Sequence, residues 1–242
     1  VTSGESRVAS KRTGKSVVAG YVLAGGASSR FGQDKALVEI GGQTVLSRMC
    51  GLIAEAAGSV AVVAASERYP DLQLKIVEDR WPGEGPLGGI ITALAATAQR
   101  SVGSDWNLIV SCDMPFLTRD WLSHMIERTL PGAPQSRSLA SLGMTNKGTP
   151  EAANGDPEVI VPRSEHGLEP LCACWRTSSV ETLQSAFDEG VRKVTEAMKR
   201  LRMEVLDETH WKRFDSAGRL FWNMNTQQDY QEALRVWETE KA

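Results

Sequence analysis

LAGGASSRFGQDKAL, residues 23–37, follows directly on the apolar, β-branched run 17–23. A short apolar run of that composition predicts a buried strand, so the small residues and charges after it form a loop at the strand's carboxyl end. In an open α/β sheet that edge is where ligands bind. Gly25 and Gly26 carry no side chains, so backbone N–H groups can approach a ligand and point at anionic oxygens. Ser28 and Ser29 add hydroxyls, Arg30 a planar fork suited to phosphate and Lys35 a mobile point charge. The set describes a cradle for a polyphosphate. It is not the dinucleotide fingerprint, which needs G-x-G-x-x-G opening into a helix; here the order is G-G followed by five residues and Gly32, and then a strand-like segment.

Outward from this loop, apolar runs alternate with helical patterns. Residues 60–65, 74–77 and 106–111 read as further buried strands, and 44–57, 87–98 and 118–128 as helices between or after them. In the first helix Val45, Met49, Leu52, Ile53 and Ala56 share one face, and Gly58 ends it. Strands without polar alternation, separated by helices, predict a parallel sheet covered on both faces. Residues 158–163 and 170–176 read as two strands around the turn SEHGL, forming an antiparallel pair, and 202–207 as another strand. Helices are expected over 179–187 and 193–199, and a last one from Thr226, where Thr226 and Asp229 form a capping box and Tyr230, Ala233, Leu234 and Trp237 one apolar face. The expected fold is α/β: a Rossmann-like three-layer sandwich around a mostly parallel mixed sheet. Residues 1–16 read as a disordered polar tail and 17–242 as a single domain, with a loop insertion at 131–157 dense in Gly, Pro, Ser, Asn and Thr.

Bulk properties exclude several classes. A formal net charge of -3 argues against duplex nucleic acid as a partner. No apolar run approaches the ~20 residues that a membrane-spanning helix needs, so no membrane partner is expected. Cys50, Cys112, Cys172 and Cys174 read as small core residues of a reducing compartment, which points to the cytoplasm. With His124, His166 and His210 scattered, a His/Cys zinc site is not expected.

The run L-A-G-G-x-S-x-R-F-G-x-D-K-A-L closely resembles the opening signature of the molybdenum cofactor guanylyltransferases, within the wider nucleotidyltransferase superfamily of nucleotide-diphospho-sugar transferase fold. Four later stretches are similar to that family in the same order: EDRWPGEGPLGGI (78–90), CDMPFL (112–117), EPLCACWR (169–176) and NMNTQQDY (223–230). The resemblance implies transfer of GMP from GTP to the phosphate of molybdopterin with loss of pyrophosphate, Mg²⁺ as cofactor, and cofactor-delivery or acceptor molybdoenzymes as protein partners. It implies that Leu23, Ala24 and Gly25 lie against the nucleotide, with Gly26 and Ser28 in the phosphate loop. Arg30 and Lys35 would neutralise the triphosphate, Asp79 would contact the nucleotide, and Asp113 would hold Mg²⁺ and touch the nucleotide. Asn223 and Asn225 would complete the metal or acceptor region. Arg30, Lys35 and Asp113 are thus the expected catalytic residues. The chemistry asks for placement and charge stabilisation, because the attacking phosphate oxygen is already an anion.

Two other readings stay open: a cytidylyltransferase for the same pterin or another nucleotidyltransferase of this fold, and a nucleotide-binding regulatory domain without catalysis. The Leu-Ala-Gly-Gly opening resembles the guanylyl branch more than the cytidylyl one. Three departures from the family pattern stand out: Ala64 where an asparagine is frequent just after the second strand, the lost proline in Thr226-Gln227-Gln228-Asp229, and the polar insertion before Glu158. Glu169 falls where acceptor contacts are expected, an awkward place for an acid facing a phosphorylated molecule.

Overall fold

A computed structural model describes residues 18–25, 32, 34–70, 73–100, 104–133, 155–215 and 217–240. Expectations for Gly26, Ser28, Arg30, the tail 1–16 and nearly all of the 131–157 insertion fall outside the described residues.

In chain order the strands are β1 (Val18–Leu23), β2 (Glu39–Ile40), β3 (Gln43–Thr44), β4 (Ala61–Ala64), β5 (Ile76–Glu78), β6 (Trp106–Ser111), β7 (Val159–Ser164), β8 (Gly167–Leu168), β9 (Cys172–Arg176) and β10 (Met203–Leu206). The helices are α1 (Val45–Ala57), α2 (Pro86–Ala98), α3 (Arg119–Glu127), α4 (Val180–Asp188), α5 (Val194–Ala197), α6 (Glu208–Trp211) and α7 (Gln227–Glu240). The main sheet runs β10-β7-β9-β6-β1-β4-β5, with β8 paired to β7 at its end. β5, β4, β1 and β6 are mutually parallel, β9 runs against both β6 and β7, and β10 runs with β7. With β8 and β9 reversed in an otherwise parallel sheet, this is the mixed α/β architecture read from the sequence.

Alternation along β1 shows how the sheet is covered on both sides. Val18, Val22 and the following Ala24 belong to one apolar cluster with α1, α3 and α7, while Ala19, Tyr21 and Leu23 belong to the other with α2, α4 and α5. Gly20 lies between them because a Cβ there would collide with the Ser59 carbonyl and Ile53, so glycine lets α1 pack down on the strand. Each fully buried aliphatic side chain contributes roughly 1.5–3 kcal/mol to this packing. The same alternation sends Cys172 and Cys174 to one cluster and Ala173 and Trp175 to the other.

Several details differ from the sequence reading. On α1, Leu46 and Cys50 are buried with Val45, Met49 and Ile53, whereas Leu52 and Ala56 are only partly covered; contact with both the sheet and α3 turns the buried stripe. The turn after β7 leads into β8, a two-residue strand, before the chain reaches β9. Ala64 is the last residue of β4 and is fully buried, so its side chain faces core and Ala65 is the first residue past the strand.

Local chemistry fixes the other boundaries. Gly41 and Gly42 both have positive φ (66° and 83°), the geometry of a two-residue hairpin turn between β2 and β3. A side chain at Gly41 would run into the Trp237 indole, so this turn is also where α7 docks. Thr44 caps α1 by accepting from the Ser47 N–H, and Gly58 closes it in the left-handed region. The capping box at α7 is reciprocal: Thr226 Oγ1 accepts from the Asp229 N–H at 3.1 Å, and Asp229 Oδ2 accepts from the Thr226 N–H at 2.8 Å.

Candidate active site

The chain moves outward from β1 to β4 and β5, then returns to place β6 on the other side of β1. That reversal falls at the carboxyl ends of β1 and β6, the usual ligand position in such sheets. Across the edge, Val77, Val63, Leu23 and Ser111 lie in one row of register partners. The residues after each strand therefore share one rim: Ala24 and Gly25, Asp79, and Cys112 and Asp113.

Backbone bonds stitch that rim together. The Ala24 N–H donates to Val63 O at 3.0 Å, the Asp79 N–H to Ala64 O at 2.9 Å and the Cys112 N–H to Leu23 O at 3.1 Å. A Cβ on Gly25 would lie 3.3 Å from Asp79 Oδ2, so glycine allows the loop to pass close to that carboxylate. Asp79 Oδ1 is held by the Trp81 N–H at 3.1 Å and by Thr92 Oγ1, on α2, at 3.4 Å, which leaves Oδ2 toward Gly25.

Lys35 and Asp113 meet here. The Lys35 ammonium donates to Asp113 Oδ2 at 2.5 Å and lies 3.5 Å from Asn225 Oδ1. Asp113 is 7% exposed. Its other oxygen, Oδ1, is buried without a hydrogen-bond partner among the described residues. A buried carboxylate oxygen left unsatisfied carries a desolvation cost that a bound cation would remove. Among the described residues no group of three or more His, Cys, Asp or Glu side chains could hold a metal. A hard divalent cation would thus rest on Asp113 with substrate phosphates and water, the habit of Mg²⁺. The residues present fit that ion.

The carboxyl-terminal segment closes the third side. The Met224 N–H donates to the Asp113 carbonyl at 2.9 Å, between Asn223 and Asn225. Asp229 Oδ2 also accepts from the Asn225 N–H at 2.8 Å, so the α7 cap that lacks the family's proline still fixes Asn225 beside Lys35. Asn223 lines an adjoining groove of about 960 Å³ with Arg163, Ser164, Trp211, Phe221 and Trp222 on its walls. Phe116, in the loop after Asp113, stacks on Trp222 with centroids 5.4 Å apart. Glu169 stands behind this wall, accepting from Ser164 Oγ at 2.6 Å. Burial raises its pKa, the Ser164 bond and His166 oppose the shift, and the Asp113 charge adds to it. Glu169 is thereby shifted toward its neutral form, which softens the conflict between an acid and an anionic ligand.

The structure brings together Leu23, Ala24, Gly25, Lys35, Asp79, Asp113 and Asn225 along one rim, with Asn223 turned to the groove. Sequence reasoning missed Asp34, Arg68 and Tyr69, which bind one another beneath Lys35. Asp34 stands inside the opening motif but receives no role there; Arg68 and Tyr69 sit in a polar turn with no motif of their own.

A mixed α/β sheet whose reversal point carries Gly25, Lys35 and Asp113 is the arrangement expected of a nucleotidyltransferase of the α/β class. Residues 20–203 match the MobA-like NTP transferase domain, and the chain belongs to that family. It is similar to probable molybdenum cofactor guanylyltransferases from Peptoclostridium acidaminophilum (27% identical, covering 91% of this chain and 90% of that one) and Pelotomaculum thermopropionicum (28%, 87% and 88%). In fold it is similar to the molybdopterin-guanine dinucleotide biosynthesis protein A of Archaeoglobus fulgidus, with a TM-score of 0.69 at 20% identity over 92% of this chain and 100% of that one.

Proposed function

We propose that this chain transfers GMP from GTP to the terminal phosphate of molybdopterin, forming the guanine dinucleotide cofactor and releasing pyrophosphate. The observation that carries the reading is the Lys35–Asp113 contact at the sheet's reversal point, with Asp113 Oδ1 buried and unpartnered among the described residues. The names of the relatives supply the substrates; the geometry supplies a place where a triphosphate and a cation would share one rim.

In the reaction, an oxygen of the acceptor phosphate attacks the α-phosphorus of GTP. The bond from that phosphorus to the bridging oxygen breaks, and its electron pair leaves on pyrophosphate. Both partners are anions, so the work of the site is to hold them together and offset charge as the leaving group departs. Lys35, drawn from Asp113 by the triphosphate, would follow the β- and γ-phosphates, and the family resemblance assigns Arg30 to the same charge neutralisation. Mg²⁺, held by Asp113, would supply charge neutralisation on the phosphates. Leu23, Ala24, Gly25, Gly26, Ser28 and Asp79 would border the nucleotide. Asn225 would keep Lys35 near Asp113.

The groove beyond Asn223 suits the acceptor. Its aromatic walls, Trp211, Phe221 and Trp222, offer surface for a flat heterocycle, and Arg163, whose Nε is buried without a hydrogen-bond partner among the described residues, offers a cation. A cytoplasmic location belongs to the same reading, supported by four buried, free cysteines.

The test is transfer of label from α-³²P GTP to molybdopterin, in parallel with CTP and with and without Mg²⁺. Label should appear in a pterin dinucleotide with GTP and Mg²⁺. Preference for CTP would turn the assignment to cytidylyl transfer, and nucleotide binding without any product would turn it to a regulatory domain.

A further inference from the structure

We propose that Asp34, Tyr69 and Arg68 are positioning residues that set the reach of Lys35; this rests on the role given to Lys35 above. Asp34 directly precedes Lys35, yet the two charges are spent on different partners. Asp34 Oδ2 accepts from Arg68 Nε at 3.0 Å and from the Tyr69 hydroxyl at 3.1 Å. Asp34 Oδ1 accepts from the Ala36 N–H at 3.0 Å, and the Asp34 carbonyl from the Leu37 N–H at 3.0 Å. Together these bonds lock a tight turn over residues 34–37 whose second member is Lys35. With Asp34 neutralised from below by Arg68, the Lys35 ammonium is left to Asp113.

Tyr69 ties this turn to the sheet. Its hydroxyl also lies 3.0 Å from the Ala24 carbonyl, and Ala24 is bonded through its N–H to β4. Neither the carbonyl nor the carboxylate can donate, so the single phenolic proton serves both. Burial first, then the Asp34 charge, raise the Tyr69 pKa above its ordinary range, with Arg68 opposing, so the hydroxyl keeps its proton at any working pH. Tyr69 is 4% exposed. One buried hydroxyl thus couples the end of β1 to the turn that presents Lys35. A phenylalanine in its place would leave both oxygens without that donor while filling the same volume.

The test is a double-mutant cycle. Tyr69→Phe should lower kcat for guanylyl transfer about tenfold with KM for GTP changed less than about threefold. In a Lys35→Ala background the same substitution should change kcat less than about twofold, because a residue acting through Lys35 has nothing left to act on. An equal tenfold loss in both backgrounds, or no loss in the wild type, would overturn the proposal. A second readout does not depend on the reaction. The protein is reductively ¹³C-methylated on its lysines, and the Lys35 resonance is identified by its absence in Lys35→Ala. That resonance should move in Tyr69→Phe; an unmoved resonance also overturns the proposal. Should Tyr69→Phe fail to fold, Asp34→Asn takes its place with the same expectations. If the wild type shows no transfer with either nucleotide, the functional reading fails, and the resonance alone still decides whether Tyr69 orients Lys35.

Discussion

The Lys35 ammonium rests 2.5 Å from Asp113 Oδ2, so the candidate metal ligand already has a cation on one oxygen. On the proposed reading, a metal at Asp113 would compete with Lys35 for the carboxylate's charge until a triphosphate drew the lysine away. Lys35→Ala is expected to have opposite effects on two measurements. Turnover should fall about 10²-fold, the cost of losing a preorganised charge stabiliser. Binding of Mn²⁺ without nucleotide, read by electron paramagnetic resonance, should become tighter than in the wild type. Weaker Mn²⁺ binding in the variant would show that Lys35 does not oppose a metal at Asp113.

Glu169 makes stability depend on pH in a defined direction. Its folded pKa lies above the ordinary carboxylate value of 4.5, chiefly through burial. A raised carboxyl contributes stability that is complete below the unfolded pKa and is lost as pH rises through the folded one. Glu169→Gln should therefore gain on the wild type as pH is raised from about 4 through the carboxylate range. Urea unfolding at a series of pH values checks it; parallel curves for the two proteins would be the contrary result.

The four cysteines should be silent in the native state. Burial pushes the Cys50, Cys112 and Cys172 thiols up to about 12, and Cys174 upward too. Because the thiolate is the nucleophile, alkylating reagents at pH 8 should label none of them until the chain unfolds. Mass spectrometry of native and urea-treated protein reads this directly, and rapid native labelling of Cys112 would mean that the rim is open beside Asp113.

Arg128 and Glu204 form an ion pair between the end of α3 and β10, with side chains only 8% and 4% exposed. Breaking a buried pair leaves one charge uncompensated, at a cost of about 3–5 kcal/mol. Glu204→Ala should lower the urea midpoint by a corresponding amount, whereas replacing both residues by apolar side chains of similar volume should recover much of the loss. A midpoint unchanged by Glu204→Ala would place the pair among the energetically neutral ones.

The sheet was legible because its strands are buried on both faces: VVAGYVL and WNLIVS show no polar alternation, and their caps and glycine stops mark the helices between them. Strand order was not legible. The antiparallel pairing of β9 with β7 was read from the turn SEHGL, but nothing local to β9 says that its other edge meets β6; that depends on which edges remain after the parallel half has closed. The helix-face reading of α1 missed Leu46 and Cys50 because a helix wedged between sheet and α3 buries a wider stripe than one seated on a single surface. In the site, Lys35 and Asp113 were each visible in a motif, but their contact spans 78 positions and only the fold creates it. Asp34 was overlooked for a related reason: its partners, Arg68 and Tyr69, arrive from the turn after β4.

The central claim is that Lys35 and Asp113 serve one metal–triphosphate pocket. Calorimetric titration of Mg–GTP into the wild type, Lys35→Ala and Asp113→Ala tests it most directly. One equivalent should bind to the wild type, and each variant should bind at least about tenfold more weakly, a loss of about 1.4 kcal/mol or more. Wild-type affinity for Mg–GTP in either folded variant would contradict the account.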